Sequence, residues 1–396
     1  MEHASHRVFA IRLAALVALT PFAIDTYLPA IPALASELDA PIPAVNMGIS
    51  AFLLGFALGQ LTGGPLSDRI GRRPIALSGL TLFILSSIVI TFASSVDTFL
   101  IARFVQALGG GAASVVVGAL VRDRYKGQQS AQTFATIGMI MMIAPLIAPA
   151  VGSVILAISK WQYIFVFLAA YAALMLGMVL KNIPAALPNT EKVRNSLLKH
   201  YIHSYSQVFR QSRSLPFLFS QAFVSGILLA FVTNASFMFL TYFNVGQAKF
   251  PFFFAAIPLA SALAGRINIS LLNTIDRRVV LRWSAVAQLL ITVTFCIYSA
   301  TTTPTVWPTL GLICATIATV GFAYPNNLSL YLDYHGSTGG TANAIFGCAT
   351  FAAGALLGGI SNAFFDGTLL PIAITIAASS LFSLLLVYPA TQTKTS

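Results

Sequence analysis

The chain has 396 residues, 57% of them hydrophobic and only 8% charged, and its mean hydropathy is +0.84. Soluble domains carry roughly a quarter of their residues charged, so this composition belongs to a membrane protein. The net charge of +11 is spread over many loops, which speaks against a nucleic-acid binder, and no nucleophile, base and oxyanion constellation marks an enzyme.

Apolar windows of about 20 residues, the length that crosses a bilayer core, occur near 8–31, 44–66, 74–95, 98–121, 132–158, 161–180, 215–243, 249–272, 281–300, 306–330, 338–362 and 367–390. The runs are continuous rather than alternating, so they predict an all-α membrane protein of twelve transmembrane helices rather than a barrel. The first run mimics a signal peptide, with a basic start and Ala33-Leu34-Ala35 behind it. Its length and its Arg12, Pro21 and Asp25 argue for a retained helix. With the N-terminus in the cytoplasm, every loop arginine and lysine except Lys160 and Lys249 falls on the cytoplasmic side. That bias predicts a multi-pass protein of the bacterial inner membrane with both termini cytoplasmic.

Span one holds Asp25 within "PFAIDTYLP", and span four holds Arg103. Each is expected about five residues from the outer end of its span, or roughly 7–8 Å deep at about 1.5 Å per residue, so that the two can share one polar pocket. Ionisable groups inside spans are costly and mark function by default. A structural ion pair between the two remains open at this point. The loop between spans two and three, "GPLSDRIGRRP", packs four charges into eleven residues. Gly64 and Gly71 permit a tight turn, Asp68 can pair with a neighbouring arginine, and Arg72 and Arg73 can bridge to acids or phospholipid. Positive-inside bias alone explains the arginines but not Asp68 or the glycine spacing. In span five, Pro145 and Pro149 remove backbone donors from one face and predict a kink, with Gly152 allowing close contact. A plain packing helix would show the same residues.

The longest polar stretch, 181–214, splits the spans six and six. It predicts an N-terminal half over 1–180, a cytoplasmic linker over 181–214 and a C-terminal half over 215–396. Beyond it lie "NTIDRR", with Asp276 but no glycines, as an echo of the first charged loop, Arg266 inside span eight, and Asn326 and Asn327 in span ten, which line a cavity or bond across helices. Tyr27, Asn46, Met139, Met142, Asn234, Phe237 and Met238 sit on faces that suit a loosely specified apolar substrate cavity, although each also fits a lipid-facing or core position. The three cysteines fall within spans and read as packing residues, and the five histidines form no metal cluster.

Gly64, Leu66, Asp68, Arg69, Gly71, Arg72 and Arg73 resemble motif A of the major facilitator superfamily, with Ser67 in place of the usual alanine. Arg103 and Gln106 resemble its motif B, with Ala107 where glycine is usual. The stretch around Pro145, Pro149 and Gly152 resembles the antiporter motif C. "IDTYLPAIP", "FALGQLTGGPLSDRIGRRP" and "RFVQALGGGAASVVVGALVRD" together resemble the drug/proton antiporter branch, specifically its bicyclomycin-resistance (Bcr/CflA) subfamily. The resemblance implies two six-helix halves and a cytoplasmic gate of Asp68, Arg72 and Asp123. It also implies that Arg103 tunes a nearby carboxylate, which makes Asp25 the proton carrier. The expected function is proton-coupled export of amphiphilic drugs by alternating access. The alternative is a dedicated exporter of one metabolite, such as a siderophore, amino acid or sugar derivative. The expected partners are a small-molecule substrate, protons and the lipid bilayer, with no cofactor, no nucleic acid and a monomeric state.

Overall fold

The computed structural model describes residues 2–184, 205–336 and 339–392. Lys192, Arg194 and Lys199 of the predicted linker lie outside them. The regular elements among these residues are all helical, and twelve of the helices are long and apolar enough to cross a membrane. The chain divides into two compact units, Met1–Tyr201 and Ile202–Ser396.

In the first unit, α1 (Glu2–Asp25) stops at Asp25, a 3-10 turn covers Leu28–Ala30, and α2 (Ile31–Glu37) resumes the path. Proline chemistry accounts for the break. The Pro29 ring has no N–H to give and collides with the carbonyl four residues back, which is that of Asp25, and Pro32 repeats the effect on Leu28. The first span therefore runs Val8–Glu37, longer than the predicted 8–31, because the prolines interrupt it without ending it. Asp25 consequently lies about 18 Å of helix rise before that end rather than 7–8 Å.

The remaining helices of this unit are α3 (Ile42–Ile70), α4 (Arg72–Thr91), α5 (Val96–Arg124), α6 (Gly127–Ile158) and α7 (Gln162–Asn182). Gly55, Gly59 and Gly63 recur every fourth residue on the α3 face that meets α5. A Cβ on them would strike the backbone of Phe104, Leu108 and Ala112 in turn, and one on Gly111 of α5 would strike the Phe56 carbonyl. Lipid is as apolar as leucine, so close packing of this kind, rather than hydrophobic burial, pairs helices in a bilayer. Gly59→Leu is expected to cost about 1–3 kcal/mol through overpacking, read as a lower midpoint of thermal unfolding in detergent. An unchanged midpoint would show that the α3–α5 contact is pliable.

The second unit comprises α8 (205–210), α9 (Leu215–Ser236) with a π-helical turn over Phe237–Tyr242, α10 (Phe250–Leu271), α11 (Arg277–Thr301), α12 (Val306–Leu332), α13 (Gly339–Ala363) and α14 (Leu370–Gln392). Its pairings repeat those of the first. There α1 packs on α6, α3 on α5, α4 on α5 and α4 on α7; here α9 packs on α13, α10 on α12, α11 on α12 and α11 on α14. The adhesive differs. Gly321 still abuts the Ser261 carbonyl, but carboxamides bridge most of the pairs. Asn326 donates to Asn268 at 2.9 Å, Gln288 to Thr319 at 2.8 Å, Asn234 to Ser361 at 2.8 Å and Asn327 to Gln221 at 3.2 Å. Asn326 and Asn327 are thus buried cross-helix ties.

Candidate functional site

The break between α1 and α2 organises the interior of the first unit. Asp25 is 5% exposed and has no ion pair among the described residues. Two residues on, Tyr27 interacts with both Asp25 and Arg103. Arg103 is fully buried, with its guanidinium carbon 4.5 Å from the Tyr27 ring centroid, 4.4 Å from Phe52 and 5.8 Å from Phe165. Aromatic faces carry partial negative charge and so support a buried cation. The direct Asp25–Arg103 ion pair left open by the sequence is not formed, and Tyr27 is the residue that meets the guanidinium instead. Arg103 gives one hydrogen bond, from Nη1 to Gln106 Oε1 at 2.6 Å. Its Nε and Nη2, like the Tyr27 hydroxyl, meet no hydrogen-bond geometry with another group.

α6 seats directly on this break. A Cβ on Gly152 would overlap the Thr26 carbonyl, so only glycine lets α6 approach the interrupted backbone. The helix runs without interruption through Pro145 and Pro149, and Ala144 and Ala148 are buried beside them.

At the α3–α4 corner, Gly71 takes φ 111°, a conformation that disfavours any side chain, and so turns the chain tightly enough for Arg72 to face back. Arg72 pairs with Asp68, donates to Asp123 Oδ2 at 3.1 Å and to Ser67 Oγ at 2.7 Å. Ser67 in turn donates to the Gly64 carbonyl at 2.8 Å, so the serine that replaces alanine is a working member of the cluster. Arg73 departs from it and donates to the Leu180 carbonyl of α7 at 2.9 Å. Arg72 and Asp123 also border a cavity of about 380 Å³, lined further by Phe9, Arg124 and Asn182.

The second unit builds a counterpart from different positions. Arg277 pairs with Asp333 at the end of α12 and also bonds Ser329. Asp276 caps α11, accepting from the Arg278 N–H at 2.7 Å. The acid that answers Asp123 is therefore Asp333, while Asp276, in the echo of the first charged loop, serves as a helix cap. An aspartate closing span ten, as Asp123 closes span four, was the available signal.

Close by, His335 is 2% exposed and bonds Ser214 Oγ through Nε2 at 2.9 Å. Ser214 spends its own proton on the Gln211 carbonyl at 2.8 Å, so the histidine is the donor and its Nδ1 is bare. Burial holds His335 below the ordinary histidine value. The unfolded chain takes up this proton near pH 6.5, about the unperturbed value, and the folded one only at lower pH. Between those points the unfolded state binds more protons, so acid favours it. The His335 contribution to stability is present above that range and is lost as pH falls through it. His335→Gln is expected to lose less of its unfolding midpoint than the parent between about pH 7.5 and 5.5; equal slopes would remove His335 from the acid sensitivity.

The predicted cavity residues divide. Tyr27, Asn46, Asn234, Phe237 and Met238 are buried, with both amide atoms of Asn46 unpartnered, whereas Met139 and Met142 are 59% and 53% exposed. Arg266 is exposed on α10.

The profile of the Major Facilitator Superfamily matches residues 13–359. A bicyclomycin resistance protein homolog of Haemophilus influenzae is 29% identical over 384 residues, covering 96% of this chain and 95% of that protein. The multidrug resistance protein MdtL of Escherichia coli is 36% identical over 197 residues, 48% of this chain and 50% of its own. The crystal structure of a D-xylose–proton symporter shares the fold with a TM-score of 0.73 at 16% identity, over 98% of this chain and 100% of that one. With these matches added to the repeated six-helix units and the Arg72 cluster, the chain belongs to the Major Facilitator Superfamily, a multi-pass membrane transporter and not an enzyme.

Proposed function

We propose that this transporter exports amphiphilic drugs in exchange for protons by alternating access, from the bacterial inner membrane and with both termini in the cytoplasm. The observation that carries this reading is Asp25, a buried carboxylate without an ion pair among the described residues, set at a proline-made helix break two residues before Tyr27, whose ring meets the caged Arg103. Burying an unpaired charge is costly, and a site that gains and loses a proton in each cycle avoids holding that charge throughout. Discontinuous helices near the middle of the membrane are where secondary transporters place substrate and ion sites. The drug-resistance names of one relative matched over nearly its whole length and of another matched over half of its length support the substrate class. The Arg72 cluster and its Arg277 counterpart serve as cytoplasmic clasps in this scheme.

The test is proton release on substrate addition, in purified protein and weakly buffered detergent, with a panel of cationic and neutral antimicrobials alongside siderophores. Release by several unrelated drugs supports a multidrug exporter. Release by a single metabolite points to a dedicated exporter, and silence across the panel overturns proton-coupled export.

A further inference from the structure

Arg103 is aimed from a neighbouring helix. Ser87 on α4 is fully buried, and its hydroxyl proton goes to the Phe83 carbonyl one turn back at 2.7 Å. A hydroxyl has one proton to give, so Ser87 Oγ meets Gln106 of α5 as an acceptor. Gln106 Nε2 donates to it at 2.7 Å. That bond fixes which way the Gln106 carboxamide faces. Flipping it would set its oxygen against the Ser87 oxygen and its NH₂ group against the guanidinium, losing both bonds and leaving buried polar groups unpaired. Gln106 Oε1 is therefore held toward Arg103 Nη1, at 2.6 Å.

The rest of the guanidinium is gripped by the rings of Tyr27, Phe52 and Phe165, which hold a cation without prescribing its rotation. The rotational setting comes from the single bond to Gln106. α4 is kept at contact distance by Gly79 and Gly109, where a Cβ on either would strike the backbone carbonyl of the other. We propose that Ser87 is a positioning residue for proton coupling: through the Gln106 carboxamide it sets the rotation of the Arg103 guanidinium, and so which edge that cation turns toward Tyr27, two residues from Asp25. The proposal rests on the proton-coupled reading above.

Its test is the pH profile of transport by the full chain in proteoliposomes, with the panel compound that gives the largest proton release. Ser87→Ala frees the carboxamide to flip and loosens the positive charge beside Tyr27. The transport midpoint is expected to move toward alkaline pH by about one unit, a tenfold change in proton affinity. Ser87→Thr keeps the hydroxyl and is expected to return the midpoint to the parent value. Gln106→Glu reads the same device from its other end: a negative charge against Arg103 is expected to shift the midpoint further in the same direction, and this variant decides the matter if Ser87→Ala does not fold. A merely structural serine would lower the unfolding midpoint and the amount of active protein without moving the pH profile. A profile for Ser87→Ala that overlays the parent, or an equal shift in Ser87→Thr, overturns the proposal while leaving proton-coupled export intact. A parent that releases no protons with any compound overturns both.

Discussion

Asp25→Asn is expected to reduce substrate-induced proton release to baseline and to abolish transport against a gradient. The replacement keeps the size and polarity of the side chain and removes its ability to exchange a proton. Asp25 has no ion pair to lose among the described residues, so folding and substrate affinity should survive. Removing a partner from a buried pair would instead strand a charge and cost about 3–5 kcal/mol. The variant is thus expected to bind substrate and to exchange it passively down a gradient. The measurement pairs proton release with counterflow in proteoliposomes. A variant that still accumulates substrate against a gradient would move the proton site elsewhere.

Arg72→Ala is expected to lower the transport rate tenfold or more while changing the unfolding midpoint little. Asp68 and Asp123, the acids that Arg72 joins, are both partly exposed, and exposed ion pairs contribute about 0–1 kcal/mol to stability. A clasp that must open and close needs no more than that. Its loss would shift the balance between conformers, which sets the rate, more than it would shift folding. Arg72→Lys should fall between, because one ammonium cannot reproduce the planar fork that reaches Asp68, Asp123 and Ser67 together. Initial rates and melting curves on the same preparations separate the cases. Parallel losses of rate and stability would make the cluster a fold element, and an unimpaired rate would retire it as a clasp.

The twelve spans were legible because a bilayer demands apolar runs of a set length, and "GPLSDRIGRRP" because its acid and glycines exceed what topology needs. Length misled where proline intervened: Pro29 and Pro32 look like the end of span one, yet α2 carries it on to Glu37. The partner of Arg277 was missed because the second unit kept the pairing while losing the glycine spacing that advertised it in the first. Ser87 carries no motif at all. A serine in an apolar span ordinarily bonds its own helix, and its second bond, to Gln106, exists only once α4 and α5 are packed. Tyr27 read as cavity lining because sequence gives a residue's face but not what the neighbouring helix places against it.

α4 begins at Arg72 and carries Ser87 fifteen residues later, about 22 Å along one uninterrupted rod. A rod of that length works as a lever: a tilt of about 5° pivoting at Ser87 carries the Arg72 end sideways by about 2 Å. That is enough to part the 3.1 Å contact with Asp123. Pivoting at Arg72 instead, the same tilt drags Ser87 off the carboxamide it steadies. The stiffness of one helix thus ties the distance across a surface ion cluster to the orientation of a cation buried two-thirds of a membrane away.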